Sequence, residues 1–142
     1  MVYPGDLLLT NSMTVGKAYI SKIKGCIHDG WLLFHPKIDK LYPDYFYYLL
    51  NSHILRYKFA KKARGGVVRN LNILLVKSIL IPIPFRGNQP NLEKQKEIAN
   101  YLDSVYRKIR TLKEKIQHQI TQLEEMKESI LDEVFNSGGG GK

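Results

Sequence analysis

The sequence predicts an α+β protein in which a small mixed α/β head is followed by one long coiled-coil helix. Three observations predict this. Apolar residues recur at heptad spacing from Leu92 to about Phe135, with no Gly or Pro between Asn91 and Asn136. Before that stretch come short strand-like runs punctuated by Gly and Pro, around a Tyr/Phe/Leu-rich helical segment. Charge divides at the same place. Residues 1–92 hold 13 Lys/Arg against 4 Asp/Glu, whereas residues 93–135 hold 8 against 9.

The long helix is the clearest element. Leu102, Ile109, Ile116, Leu123 and Ile130 repeat every seven residues, and Ile98, Val105, Leu112 and Met126 fill the interleaved slots. That spacing keeps one apolar stripe facing a partner helix. Gln119 and Glu133 are the polar slots, and a buried Gln119 would fix register and orientation. At 1.5 Å per residue the helix is roughly 60 Å long, far beyond an ordinary domain helix. It reads as a spacer or docking rod. The expected organisation is a head over residues 1–90, the helix over 91–136 and a flexible Gly-rich tail over 137–142.

Within the head, Pro4-Gly5 marks a turn and Asp6 to Thr10 a first strand. Asn11 to Lys17, small and polar, reads as a loop into a second strand over residues 17–23. Lys24-Gly25 turns the chain into a third strand, Ile27 to Phe34, with Asp29-Gly30 as a bulge or tight bend. A helix starts at Pro43-Asp44 and ends at Gly65-Gly66, with Phe46, Leu49, Leu50, His53, Tyr57 and Ala60 on one face. Residues 67–71 read as extended. Asn72 is placed to cap a brief helix over Ile73 to Lys77, and Ile79 to Pro84 reads as a last, edge strand. Residues 85–91 form a linker, with Asn91 as a cap for the long helix.

Composition narrows the function class. The chain has 142 residues, 44% hydrophobic and 25% charged, which is globular rather than disordered. No apolar run is long enough for a membrane helix, so no membrane partner is expected. The N-terminus lacks a signal-peptide pattern and Cys26 is the single cysteine, which makes a cytoplasmic location the expectation. The four histidines share no metal-ligand spacing with one another or with Cys26, so no metal is expected. No phosphate loop or dinucleotide fingerprint is present. His28 beside Asp29 suggests a hydrolytic pair, but neighbours on a strand point to opposite faces, and no catalytic residues are assigned. A basic head suits a polyanion, most often nucleic acid, and a balanced rod suits protein.

Three segments carry that reading. The window from Arg56 to Arg69 contains no acid and supplies Lys61, Lys62, Arg64, Gly65, Gly66 and Arg69, followed by Asn70. Glycine lets a backbone approach phosphate, Arg reads guanine and Asn reads adenine. The plain alternative is ordinary basic bias at a helix end. The loop residues Asn11, Ser12, Thr14 and Lys17 offer amide, hydroxyl and ammonium groups of the kind that contact DNA, as any surface hairpin can. His28 is a further candidate contact. The tyrosines at 42, 45, 47, 48 and 57 read mainly as packing.

The order of these pieces resembles a known family. Pro-Gly-Asp-Leu-Leu-Leu-Thr-Asn comes first, then Gly16-Lys17, Asp29-Gly30-Trp31 and the Tyr/Phe/Leu-rich helix. Gly65-Gly66-Val67-Val68-Arg69-Asn70-Leu71-Asn72 follows, then Ile81-Pro82-Ile83-Pro84, and Leu92-Glu93-Lys94-Gln95-Lys96-Glu97-Ile98-Ala99 opens the long helix. The series is similar to the specificity (S) subunit of type I restriction-modification systems, namely the C-terminal part of one target recognition domain with its spacer helix. The resemblance implies sequence-specific recognition of double-stranded DNA. It implies partnership with a DNA methyltransferase (modification) subunit, a restriction subunit and a second spacer helix, from another copy or another half of the specificity subunit. It implies no cofactor on this chain, with S-adenosylmethionine and ATP on the partner subunits. A full specificity subunit has two recognition domains and two spacer helices, so a natural half-subunit or a fragment is expected here. Two other classes fit the residues: a dimeric DNA- or RNA-binding regulator, and a coiled-coil adaptor whose basic head is incidental.

Overall fold

Alternating side chains build the centre of the head. In the computed structural model, which describes residues 1–12, 14–35, 39–63 and 70–137, strand β1 (Leu7–Thr10) turns Leu7 and Leu9 inward, both 0% exposed. β1 is the middle of a three-stranded antiparallel sheet in the order β2-β1-β3, with β2 at Ala18–Ile20 and β3 at Trp31–Phe34. The register pairs Leu8 with both Tyr19 and Leu33, so those three residues share the outer face. The inner face packs on two helices, α1 (Pro43–Asn51) and α2 (His53–Ala63), which supply Phe46, Leu50, Leu55, Phe59 and Ala63 to the core.

The single helix expected from Pro43 to Gly65-Gly66, whose end lies outside the described residues, is therefore two. Ser52 is extended at φ −62, ψ 148, and its Oγ accepts from Leu55 N at 3.3 Å, capping α2. The break serves the sheet. Asn51 Oδ1 accepts from Ala18 N at 3.1 Å and its Nδ2 donates to Ala18 O at 3.0 Å, so one amide stands in for a neighbouring strand at the β2 edge. The interruption also shifts the helical phase. Leu55, Phe59 and Ala63 face inward, while His53 and Tyr57 of the expected face are exposed.

Three strand assignments change. β2 is shorter than residues 17–23, although Ser21 N still donates to Asp6 O at 2.8 Å. β3 starts only at Trp31, because Asp29-Gly30 turns the chain instead of bulging within a strand. Residues 79–84 form no strand. Pro82 and Pro84 have no N–H to donate, and the segment is held by other donors, Tyr45 Oη to Pro82 O at 3.0 Å and Lys58 Nζ to Leu80 O at 3.2 Å. Burial raises the Tyr45 pKa. The expected linker contains a short hairpin instead, β4 (Phe85–Arg86) with β5 (Gln89–Pro90), turning at Gly87 with φ 61.

The caps fall as expected. Asn72 Oδ1 accepts from Leu75 N at 2.9 Å at the start of α3 (Ile73–Lys77), and Asn91 Oδ1 accepts from Lys94 N at 2.9 Å at the start of α4. Helix α4 runs from Leu92 to Ser137, 46 residues. The chain divides into two units, Met1–Leu102 and Asp103–Lys142, so the first turns of α4 belong with the head. Gln95 explains that membership. It is 0% exposed, its Oε1 accepts from Tyr42 N at 2.8 Å, and its Nε2 donates to Lys40 O at 3.2 Å. In the second unit Ile109, Leu112, Ile116, Leu123, Met126 and Ile130 are all exposed, as are Ile120 and Val134, which directly follow the polar slots Gln119 and Glu133.

Gly16 gives a stability test. Its φ is +80, and a Cβ built there lies 2.8 Å from Phe59 Cβ, whereas Gly5, with φ +94, has nothing within 4 Å. Gly16→Ala adds a core clash to the left-handed strain and is expected to cost on the order of 2–4 kcal/mol. Gly5→Ala is expected to cost about 1–2 kcal/mol from strain alone. Urea midpoints of the two variants, measured side by side, check the ordering.

Candidate nucleic-acid interface

Five candidate residues, Asn11, Ser12, Thr14, Lys17 and His28, lie on a loop and a turn that meet at one end of β1. There Thr10 N donates to Lys17 O at 3.0 Å, Gly16 N donates to Thr10 O at 2.9 Å, and Lys17 N donates to Thr10 Oγ1 at 3.0 Å. The Thr10 hydroxyl in turn donates to Thr14 O. These bonds close the Asn11–Lys17 loop on its own backbone. The Thr14 and Lys17 side chains are left exposed, and Ser12 is half-buried.

Asn11 joins this loop to two remote segments. Its N donates to Gly30 O at 3.1 Å and its Nδ2 donates to Asp29 O at 2.6 Å, while its carbonyl accepts from Leu71 N at 2.8 Å. The loop, the 28–30 turn and the 70–72 stretch thus meet at a residue that is only half exposed. Its Oδ1 is buried, with no hydrogen-bond partner among the described residues.

His28 sits on that turn. It lies near Asp29, Nδ1 to Oδ1 3.6 Å, so the expectation of two neighbours on opposite strand faces is corrected: neither is in a strand. The ring contacts two donors, Gly30 N at 2.9 Å from Nδ1 and Trp31 Nε1 at 3.2 Å from Nε2. A neutral imidazole accepts through one nitrogen at a time, so the tautomer chooses between them. Trp31 stacks edge-on against Tyr19 with ring centroids 5.6 Å apart, and Lys17 Nζ lies 5.1 Å from the Tyr19 ring centroid. Two candidates from different segments, Lys17 and His28, are therefore linked through two aromatics that sequence reasoning missed. The available signal was alternation, which puts Tyr19 opposite Ala18. What was missing was the register that brings β2 and β3 to either side of β1.

The basic window contributes a separate depression. Lys61 and Lys62 are exposed on the last turn of α2 and, with Lys58, Asn70 and Asn72, line a cleft of about 790 Å³ between α2 and α3. Asn72 also borders a shallower groove containing Asn11, Leu71 and Leu74, so the two depressions adjoin. Arg64, Gly65, Gly66 and Arg69 lie outside the described residues. Among the described residues no three His, Cys, Asp or Glu side chains gather as a metal site would require, and no helix is long and apolar enough to cross a membrane.

The head is thus basic, gathers polar loops at one end of its sheet and is followed by a very long helix. The comparisons name the class. Residues 3–122 match the type I restriction modification DNA specificity domain, and the chain belongs to that family. It is also similar to the crystal structure of the HsdS subunit from Thermoanaerobacter tengcongensis, with a TM-score of 0.67 and 25% identity over 94% of this chain. The match spans 30% of that subunit's length.

Asn11→Asp tests the junction. A carboxylate has no N–H for Asp29 O and sets a negative charge against that carbonyl, which is expected to destabilise the head by about 1–3 kcal/mol. A lowered urea midpoint, with weaker DNA binding at temperatures where the head stays folded, is the expected result.

Proposed function

We propose that this chain recognises one half of a bipartite DNA sequence as part of the specificity subunit of a type I restriction-modification complex. The observation that carries the reading is the meeting, at Asn11, of the Asn11–Lys17 loop, the His28–Gly30 turn and the stretch after the basic window, in a chain of the specificity-domain family. Backbone-directed cations hold phosphates and the loop side chains read base edges in the groove. The chain is a recognition part and not itself an enzyme. Methyl transfer from S-adenosylmethionine and ATP-driven cleavage belong to the modification and restriction subunits it directs to the target.

The exposed stripe from Ile109 to Ile130 supports a second part of the proposal. Six large apolar side chains exposed along one helix call for a partner. A second spacer helix, from another copy or another half of the specificity subunit, covers the stripe and sets the distance between half-sites. The work is intracellular, where the DNA is.

Methylation mapping tests the function. The chain is co-expressed with its methyltransferase subunit and host DNA is sequenced for modified bases. A bipartite motif is the expected result: palindromic if two copies pair, asymmetric if a different half is supplied in trans. Absence of any motif with an assembled complex favours the dimeric regulator. For the stripe, Ile109→Asp with Ile116→Asp is expected to abolish helix pairing in sedimentation measurements while the head keeps its unfolding midpoint. Survival of the assembly would remove the coiled-coil proposal.

A further inference from the structure

The cleft between α2 and α3 has a chemistry of its own. Three lysines of one helix line it, Lys58, Lys61 and Lys62, and none of its described lining residues is acidic. Its polar groups are disposed to donate. Asn72 Oδ1 is committed to capping α3, which leaves its NH₂ group. Lys58 donates one N–H to Leu80 O at 3.2 Å and keeps two. The Ser78 hydroxyl is the exception, because its proton is taken by Leu75 O at 2.7 Å and it adds no donor to the cleft. The remaining wall is apolar, and Leu80 at its rim is 86% exposed. Donors on one side and aliphatic surface on the other match a nucleic-acid backbone, where anionic phosphates alternate with apolar sugar faces.

We propose that this cleft is a sequence-independent clamp for the DNA sugar-phosphate backbone, with Lys61 and Lys62 on successive phosphates and Leu80 against a deoxyribose. This rests on the DNA-recognition reading above and divides the labour within it. Asn72 borders both the cleft and the groove that leads to Asn11, so a strand gripped in the cleft passes directly to the loops that read bases. The clamp sets register and supplies affinity, and the loops supply sequence.

Salt dependence distinguishes a phosphate contact from every other role. In the complex assembled with its methyltransferase subunit, each neutralised phosphate contributes roughly 0.9 to the slope of log affinity against log salt. Lys61→Gln with Lys62→Gln is expected to flatten that slope by about 1.8. Parent and variant affinities should then converge about tenfold between roughly 50 and 200 mM salt. The loss should be equal on target and non-target DNA, and the methylated motif should be unchanged. Both side chains are exposed, so the variant is expected to fold, and Lys61→Arg with Lys62→Arg should keep the parent slope. An unchanged slope in the glutamine variant, beside a steep parent slope, overturns the clamp and leaves DNA recognition standing. A changed motif also overturns it, because the cleft would then be reading bases. A parent complex whose DNA binding does not respond to salt removes the DNA-recognition reading itself.

Discussion

Three hydrogen bonds leave Asn11, and all of them run to chain that is distant in sequence: two to the carbonyls of Asp29 and Gly30, one from the amide of Leu71. Loops that read another molecule must be held in place without a core of their own, since they are short, polar and at the surface. Here the holding group stands at the end of the central strand, directly after Leu9 and Thr10. The turn carrying His28, the stretch carrying Asn70 and Asn72, and the Asn11–Lys17 loop take their positions from it. The side-chain amide contributes the bond to Asp29 O, while the bonds to Gly30 O and from Leu71 N are made by the Asn11 backbone.

A second constraint lies at the other end of the head. Gln95 is on α4, yet it is fully buried and satisfied by two backbone groups of the 40–42 segment just before α1. A buried amide left without partners costs about 1–3 kcal/mol per group, so the start of the helix is chemically part of the head. Ala99, one turn further, is equally buried. Beyond Leu102, Val105 is half-buried, and from Ile109 to Ile130 the large apolar residues of the helix lie exposed. One continuous helix is thus anchored by polar and small residues at its start and carries an exposed apolar stripe from Ile109 to Ile130.

Charge follows the same division. The excess of Lys and Arg is confined to residues before the long helix, and within the head part of it is concentrated on the last turns of α2. Lysines at a helix C-terminus are favoured by the helix dipole, which is a local reason for finding them there. That reason does not account for the cleft, which forms only because α3 and the Leu80 segment pack opposite those lysines.

Elements whose signals are local and repeated can be read directly along the chain. The helix from Leu92 is legible because its period persists over many turns. The caps at Asn72 and Asn91 are legible because capping needs one side chain and the next turn, and β1 because leucines alternate beside a Pro-Gly turn. The resemblance to specificity subunits rested on the order of such pieces. Tertiary structure decided what depends on partners far away. The helix breaks at Ser52 because Asn51 is drawn to the edge of β2, a demand no helical propensity records. Residues 79–84 look like a strand, yet with two prolines they find no ladder and are held by Tyr45 and Lys58 instead. Tyr19 and Trp31 become a surface pair only through the register on β1, and Asn11, a candidate groove contact, is also a junction between segments. Each of these is a long-range hydrogen bond or register, which a linear pattern cannot specify until the chain is folded.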